Sequence, residues 1–322
     1  MLGSIPSAIA RCLRPRTSSR SHHPTTSAAA EPLKLATYRN REGEVRVGVV
    51  RGDRIGAAVG VRSMLELVTA SGSSRPTMEV QEEEESWSRL SEVQLLPPLP
   101  PGELGQVICV GKNYAEHIKE VDSSLPGISR LDAPEHPIIF TKASSSVVGH
   151  GDTIIYPHGV SEQVDYEGEL AVVIGKGGKA IPAERAYEHV FGYTVLNDVT
   201  ARDVQKRHQQ WFLGKSMQGF CPMGPWLVPA ADVPDLAGSL QLRTWVNGEL
   251  RQDANTHDMI FDVPTLVQVV SAAVCLAPGD VIATGTPAGV GAGFTPPRFL
   301  RPGDVVRVAI AGIGELENTV GE

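Results

Sequence analysis

Between Asp165 and Asp203 the chain reads DYEGELAVVIGKGGKAIPAERAYEHVFGYTVLNDVTARD, with acids at the alternate positions Asp165, Glu167 and Glu169. On a strand of period two, alternate residues share a face, so these three carboxylates would stand side by side. Like charges on one face repel unless solvent or a cation compensates them, and hard carboxylate oxygens suit Mg²⁺, Mn²⁺ or Ca²⁺. Taken alone, the alternation equally describes a wet edge strand. The strand continues as LAVVIG, however, apolar on both faces and therefore buried, so acids leading into it need a partner. A second buried strand, in FGYTVLNDVTARD, presents Asp198 where strand gives way to loop. Spacing does not decide whether the strand ligands are Asp165 and Glu167 or Glu167 and Glu169, nor does it tie Asp198 to them.

A second candidate for chemistry lies upstream, in QVICVGKNYAEHIKEV. Val107 to Val110 has the apolar character of a buried strand and Gly111 ends it. Asn113 then reads as an N-cap, with Glu116 as its reciprocal partner in a capping box, which predicts a short helix. On that helix His117 and Glu120 are spaced i, i+3 and share a face. A carboxylate beside an imidazole raises its basicity and fixes its tautomer, as a general base requires; an ordinary surface ion pair has the same spacing.

The elements that must position these groups occupy a chain of 322 residues with 41% hydrophobic content, enough for one large globular domain and a smaller one. Residues 1–30 carry Arg11, Arg14, Arg16 and Arg20, many Ser and Ala and no acid, the composition of a mitochondrial transit peptide. The formal charge is −8; without those arginines it is 25 Lys and Arg against 37 acids, or −12, which argues against a nucleic-acid partner. No apolar run approaches the roughly 18 residues of a membrane span. Cys12, Cys109, Cys221 and Cys275 are scattered without CxxC pairing, which suits a reducing compartment.

LKLATYR, EVRVGVVRG and DRIGAAVG predict a small β-rich N-terminal domain over 31–103, and residues 62–92 read as helical and polar with a solvated acidic run, Glu82 to Glu85. PPLPPGE, Pro97 to Glu103, forms a stiff boundary before a larger domain over 104–322. The polar segment 121–136 reads as a lid or as a passive connection. PIIFTKASSSVVGHGDTIIYP reads as strand, polar loop, strand, in which Lys142 either lines a site or caps a turn. Pro182 is placed to start a helix through Val190. GKGGK lacks the spacing of a phosphate loop, GTPAGVGAG lacks the strand–turn–helix context of a dinucleotide site, and the remaining histidines lack metal-ligand spacing; NAD binding is not expected.

In this order, NYAEHIKE, DYEGELAVVIG, NDVTARDVQ, WFLGKSMQGFCPMGP, VNGELRQDANTHDMIF and PGDVIATGTPAGVG resemble the catalytic domain of the fumarylacetoacetate hydrolase superfamily over about residues 104–322. PPRFLRPGDVV and the N-terminal LKLATYR region are similar to its mitochondrial domain-containing protein 2 subgroup; the domain-containing protein 1 subgroup lacks that N-terminal portion. The resemblance implies a mixed α/β, β-rich fold of mixed sheets, usually a homodimer. It implies that Glu167, Glu169 and Asp198 bind Mg²⁺ or Mn²⁺, with Asp165 as a neighbour. It also implies that His117 and Glu120 form a base dyad on a mobile lid helix. Gln205, Lys215 and Thr286 match substrate contacts, and Arg202 and Asp203 match supporting positions. The one departure is the long connection from Val121 to His136, which bears on substrate size. The implied substrate is a small 2-oxo acid such as oxaloacetate, undergoing keto–enol tautomerisation, with C–C hydrolysis of an acylpyruvate or decarboxylation as alternatives.

Overall fold

The structure is a computed structural model that describes residues 31–80, 86–124, 134–233 and 239–322. Residues 32–322 cluster as one compact unit. The acidic run Glu82–Glu85 and most of the lid connection lie outside the described residues, as does the segment 1–30.

A large mixed sheet organises the chain. From one edge its strands are Trp87–Arg89, Arg54–Ala57, Val45–Arg51, Lys34–Arg39, Cys221–Pro229, Val190–Asn197, Gly168–Ile174, Val281–Ala283, Val107–Gly111 and Ile138–Lys142. Most neighbours run antiparallel, but Val281–Ala283 pairs parallel with Val107–Gly111. The N-terminal strands join this sheet through Leu35 opposite Leu227, so the boundary at Pro97–Glu103 is one of sequence and not of hydrogen bonding. A second sheet of five strands runs Glu249–Asn255, Gln241–Val246, Val305–Ile310, Gly314–Gly321 and Thr153–Ile155. Among the described residues between 62 and 92 only Met64–Ser71 is α-helical; Trp87–Arg89 is a strand, against the helical expectation. Pro182 precedes not an α-helix but the 3₁₀ turn Ala183–Glu188.

Gly168–Ile174 is central and every residue in it is buried. Leu170, Val172 and Ile174 enter one core with Leu242, Val306 and Val308 of the second sheet. Ala171 and Val173 point oppositely, into a core shared with Leu35, Val47 and Phe191. Both faces are therefore apolar, which is why the sequence shows a continuous run and not an alternation. Each aliphatic side chain so buried contributes about 1.5–3 kcal/mol, so a charge at Val172 would undo the strand that carries Glu169. No helix among the described residues is long and apolar enough to cross a membrane.

Candidate metal and proton-transfer site

The site begins with register. Gly168 pairs with Asn197 and Glu169 with Leu196 across the two central strands. The pairing leaves Asp198 just beyond one strand and Glu167 just before the other. Asp198 N–H donates to Glu167 O at 2.8 Å, and Glu167 N–H donates to Asn197 Oδ1 at 3.0 Å. Glu169 Oε2 accepts from Gly285 N–H at 2.8 Å. Carboxylate oxygens of Glu167, Glu169 and Asp198 lie within 4.8 Å of one another, and all three residues are buried.

The acids do not share one strand face. The strand Val164–Asp165 ends, the chain breaks regular pairing at Tyr166 and Glu167, and Gly168 starts the next strand. Asp165 consequently turns away from the triad. Its carboxylate accepts from Gly291 N–H at 2.7 Å, Ala292 N–H at 3.0 Å and Arg202 Nε at 2.8 Å.

Three buried cations face these acids. Lys215 Nζ lies 2.7 Å from both Glu167 Oε2 and Asp198 Oδ2. Arg202 Nη1 lies 2.6 Å from Glu167 Oε1. Lys142 Nζ donates to Asp198 Oδ1, and to Val199 O at 3.1 Å. Counting Asp165 among the acids, four buried carboxylates meet three buried cations, so one negative charge is in excess. It shows at Glu169, where burial, then Asp198 and Glu167, push the carboxyl far above its usual range. Burial works the same way on Glu167, but Lys215 and Arg202 outweigh it and hold that carboxyl low. Lys215 is held above its ordinary value because Asp198 and Glu167 together overcome its desolvation. Three converging hard oxygens with surplus negative charge fit a hard divalent cation.

His117 and Glu120 sit on the helix Ala115–Ser124, with His117 Nδ1 3.6 Å from Glu120 Oε2. His117 is buried, and the helix that carries it is rooted beside the triad: Asn113 Nδ2 donates to Thr284 O, one residue from the Gly285 N–H that binds Glu169. The expected capping box does not form. Asn113 Oδ1 accepts from Phe261 N–H at 2.7 Å, while Nδ2 donates to Phe261 O at 3.0 Å and Thr284 O at 2.7 Å. Glu116 pairs with Lys119 instead. A fully buried amide with three long-range hydrogen bonds outcompetes a local cap, and it pins the root of the helix Ala115–Ser124 beside the strand end that carries Thr284 and Gly285.

The remaining expected residues divide. Gln205 is buried on the helix Arg202–His208, 3.4 Å from Arg202 Nη1. Asp203 accepts from Ser161 Oγ at 2.5 Å and Val204 N–H at 2.9 Å, holding the loop rather than the triad. Thr286 donates its hydroxyl to Gly168 O at 3.0 Å and accepts from Gln252 Nε2 at 2.7 Å, so its one proton is engaged within the protein. Lys142 was open to two readings; a lysine closing an apolar strand is the signal that marks it as a buried ion-pair partner. Asn197 and Asn113 carry no comparable local signal.

The family model "Fumarylacetoacetate (FAA) hydrolase C-terminal" matches residues 106–321. The oxaloacetate tautomerase YisK of Bacillus subtilis is 52% identical over 232 residues, covering 72% of this chain and 74% of that protein. Among solved structures, the fumarylacetoacetate hydrolase of psychrophilic Exiguobacterium antarcticum is 45% identical with a TM-score of 0.75, over 90% of this chain and 99% of that one. A 2-hydroxyhepta-2,4-diene-1,7-dioate isomerase from Mycobacterium marinum is 34% identical with a TM-score of 0.71, over 90% and 98%. With a family model matching residues 106–321 and a relative 52% identical over 72% of its length, this chain belongs to the fumarylacetoacetate hydrolase family.

Proposed function

We propose that this enzyme is an oxaloacetate keto–enol tautomerase dependent on Mg²⁺ or Mn²⁺. The observation that carries the reading is His117, partnered by Glu120, sharing one buried site with the triad Glu167, Glu169 and Asp198. A relative 52% identical is named for that reaction. When bound by the triad, the cation supplies Lewis-acid polarisation of the 2-oxo group, which acidifies the adjacent carbon.

The chain's own residues do the rest. His117 Nδ1 faces Glu120, which leaves Nε2 to take a proton from the substrate carbon and return it to oxygen. Glu120 steadies the imidazolium formed in between. Lys215 and Arg202 oppose the negative charge gathered by the acids and the anionic substrate. Burial of His117 and Lys215 keeps bulk water from competing for the proton.

The test follows the enol absorbance of oxaloacetate with Mg²⁺, with EDTA, and with His117→Ala and Glu167→Ala proteins. Acceleration is expected only for the wild type with Mg²⁺; four traces matching the uncatalysed change would sink the reading. A second reading is hydrolysis of a C–C bond in an acylpyruvate, motivated by the neighbour named as a fumarylacetoacetate hydrolase. It requires the dyad to activate water, and a panel of 2-oxo acids separates the two. Bound Mg²⁺ with no turnover of any of them would instead mark a silent metal-binding scaffold.

The family resemblance supports a homodimer, which light scattering tests. The arginine-rich, acid-free segment 1–30 supports import into the mitochondrial matrix, and a fluorescent fusion to that segment that stays cytosolic would refute it.

A further inference from the structure

The glycine-rich segment after Pro287 binds no dinucleotide in the reading above, yet its backbone is held from two sides. On one side are the first two residues of the acidic motif, neither of them a triad member. Asp165 accepts from Gly291 N–H and Ala292 N–H, and the Tyr166 hydroxyl donates to Gly289 O at 2.8 Å. On the other side is the lid. Gly289 N–H lies 3.0 Å from both Glu120 Oε1 and Oε2. A single residue, Gly289, therefore links Tyr166, next to Glu167 in sequence, to the carboxylate that partners His117, its C=O facing one and its N–H the other.

The fit leaves no room for side chains. A Cβ at Gly289 would stand 2.0 Å from Arg251 O, and the backbone there has φ +104°. A Cβ at Gly293 would stand 2.2 Å from Glu120 Cδ and Oε1. These two clashes differ in kind. At Gly289 the obstacle is backbone, whereas at Gly293 it is the far end of a flexible side chain that can swing away. Gly293 also has no positive φ, so an alanine there is compatible with the fold and displaces Glu120.

We propose that the turn Gly289–Gly293 is a seat that closes the lid helix by receiving Glu120, and that Gly293 and Tyr166 are positioning residues acting on the reaction through it. The catalytic part rests on the dyad reading given above. The seat itself does not, because lid closure can be read without turnover.

The experiment uses full-length wild-type, Glu120→Ala, Gly293→Ala, Tyr166→Phe and Glu120→Ala/Gly293→Ala proteins, each shown folded by its melting transition. Hydrogen exchange over the lid helix and oxaloacetate turnover with Mg²⁺ are measured together. Gly293→Ala is expected to lose about tenfold or more in kcat with KM within about twofold, as for loss of an oriented general base. It is expected to add nothing in the Glu120→Ala background. Lid protection is expected to fall in Glu120→Ala and Gly293→Ala, and to a smaller extent in Tyr166→Phe. Unchanged lid protection in Gly293→Ala overturns the seat, as does a Gly293→Ala loss equally large with and without Glu120. If Glu120→Ala turns over normally while protection falls in Glu120→Ala and Gly293→Ala, the dyad reading fails and the seat stands.

Discussion

Asp198 N–H donates to Glu167 O at 2.8 Å, so two members of the triad at the ends of adjacent strands are fixed to each other through backbone. Asn197 completes the clamp by accepting from Glu167 N–H. Removing that acceptor in Asn197→Ala leaves a buried donor unsatisfied, at a cost of about 1–3 kcal/mol. A group that orients a ligand in this way is also worth about 10- to 100-fold in metal affinity or activity. Urea unfolding and Mg²⁺ calorimetry on the variant measure both effects, and a wild-type affinity would contradict the role given to Asn197.

Lys142 makes a different prediction, because its side chain is fully buried against Asp198. Lys142→Met leaves that carboxylate with one cation fewer and raises the excess negative charge of the site. Breaking a buried pair from one side costs about 3–5 kcal/mol. The loss is expected in cation-free buffer and is expected to shrink when Mg²⁺ is added. Asp198→Asn in the same chain is expected to restore part of the stability, since the uncompensated charge is gone. Chemical denaturation of the two variants, with and without Mg²⁺, reads the coupling directly, and equal costs in both buffers would argue against it.

The buried strands and the helix Ala115–Ser124 were legible because their pattern and length are local properties. Leu170 to Ile174 announces a strand covered on both faces, and it is one. Period-two reasoning failed at Asp165 because the strand stops at that residue, and an alternation carries no information across a break in pairing. The spacing of Asn113 and Glu116 satisfies a local rule, yet Phe261 and Thr284 claim the amide. Those partners become neighbours only when the sheet closes, as does Asp198 for Lys142. Strand pairing is non-local, so the groups it assembles leave little trace in a window of ten residues.

Thiol chemistry separates the cysteines. Burial, then Asp198, pushes the Cys109 thiol well above its ordinary value, and burial pushes Cys221 up to about 12. A thiol at that value is thiolate to only about one part in ten thousand near pH 8, and the thiolate is the nucleophile. Cys275 is exposed and free. Iodoacetamide is expected to modify Cys275 in the native protein and to reach Cys109 and Cys221 only after unfolding in guanidinium. Peptide mass mapping before and after denaturation checks this, and native labelling of Cys221 would show that its burial is not maintained in solution.

His150 gives stability a pH dependence of definite sign. Its Nδ1 accepts from Glu317 N–H at 3.2 Å, a bond only the unprotonated nitrogen can make. Burial lowers its pKa below the ordinary value of 6.5, with Glu317 and Asp152 opposing more weakly. As pH falls through the unfolded value the unfolded chain takes up the proton first, so stability drops between there and the folded value and is flat below both. Partial solvent exposure of the ring keeps the slope below the roughly 1.4 kcal/mol per pH unit of one full proton. His150→Asn keeps an acceptor for Glu317 N–H and has nothing to titrate. Urea unfolding of the two proteins from about pH 8 to about pH 5 is expected to give curves whose difference shifts toward the variant as pH falls. A difference that stays constant, or one that favours the wild type in acid, would mean that His150 is protonated in the folded state.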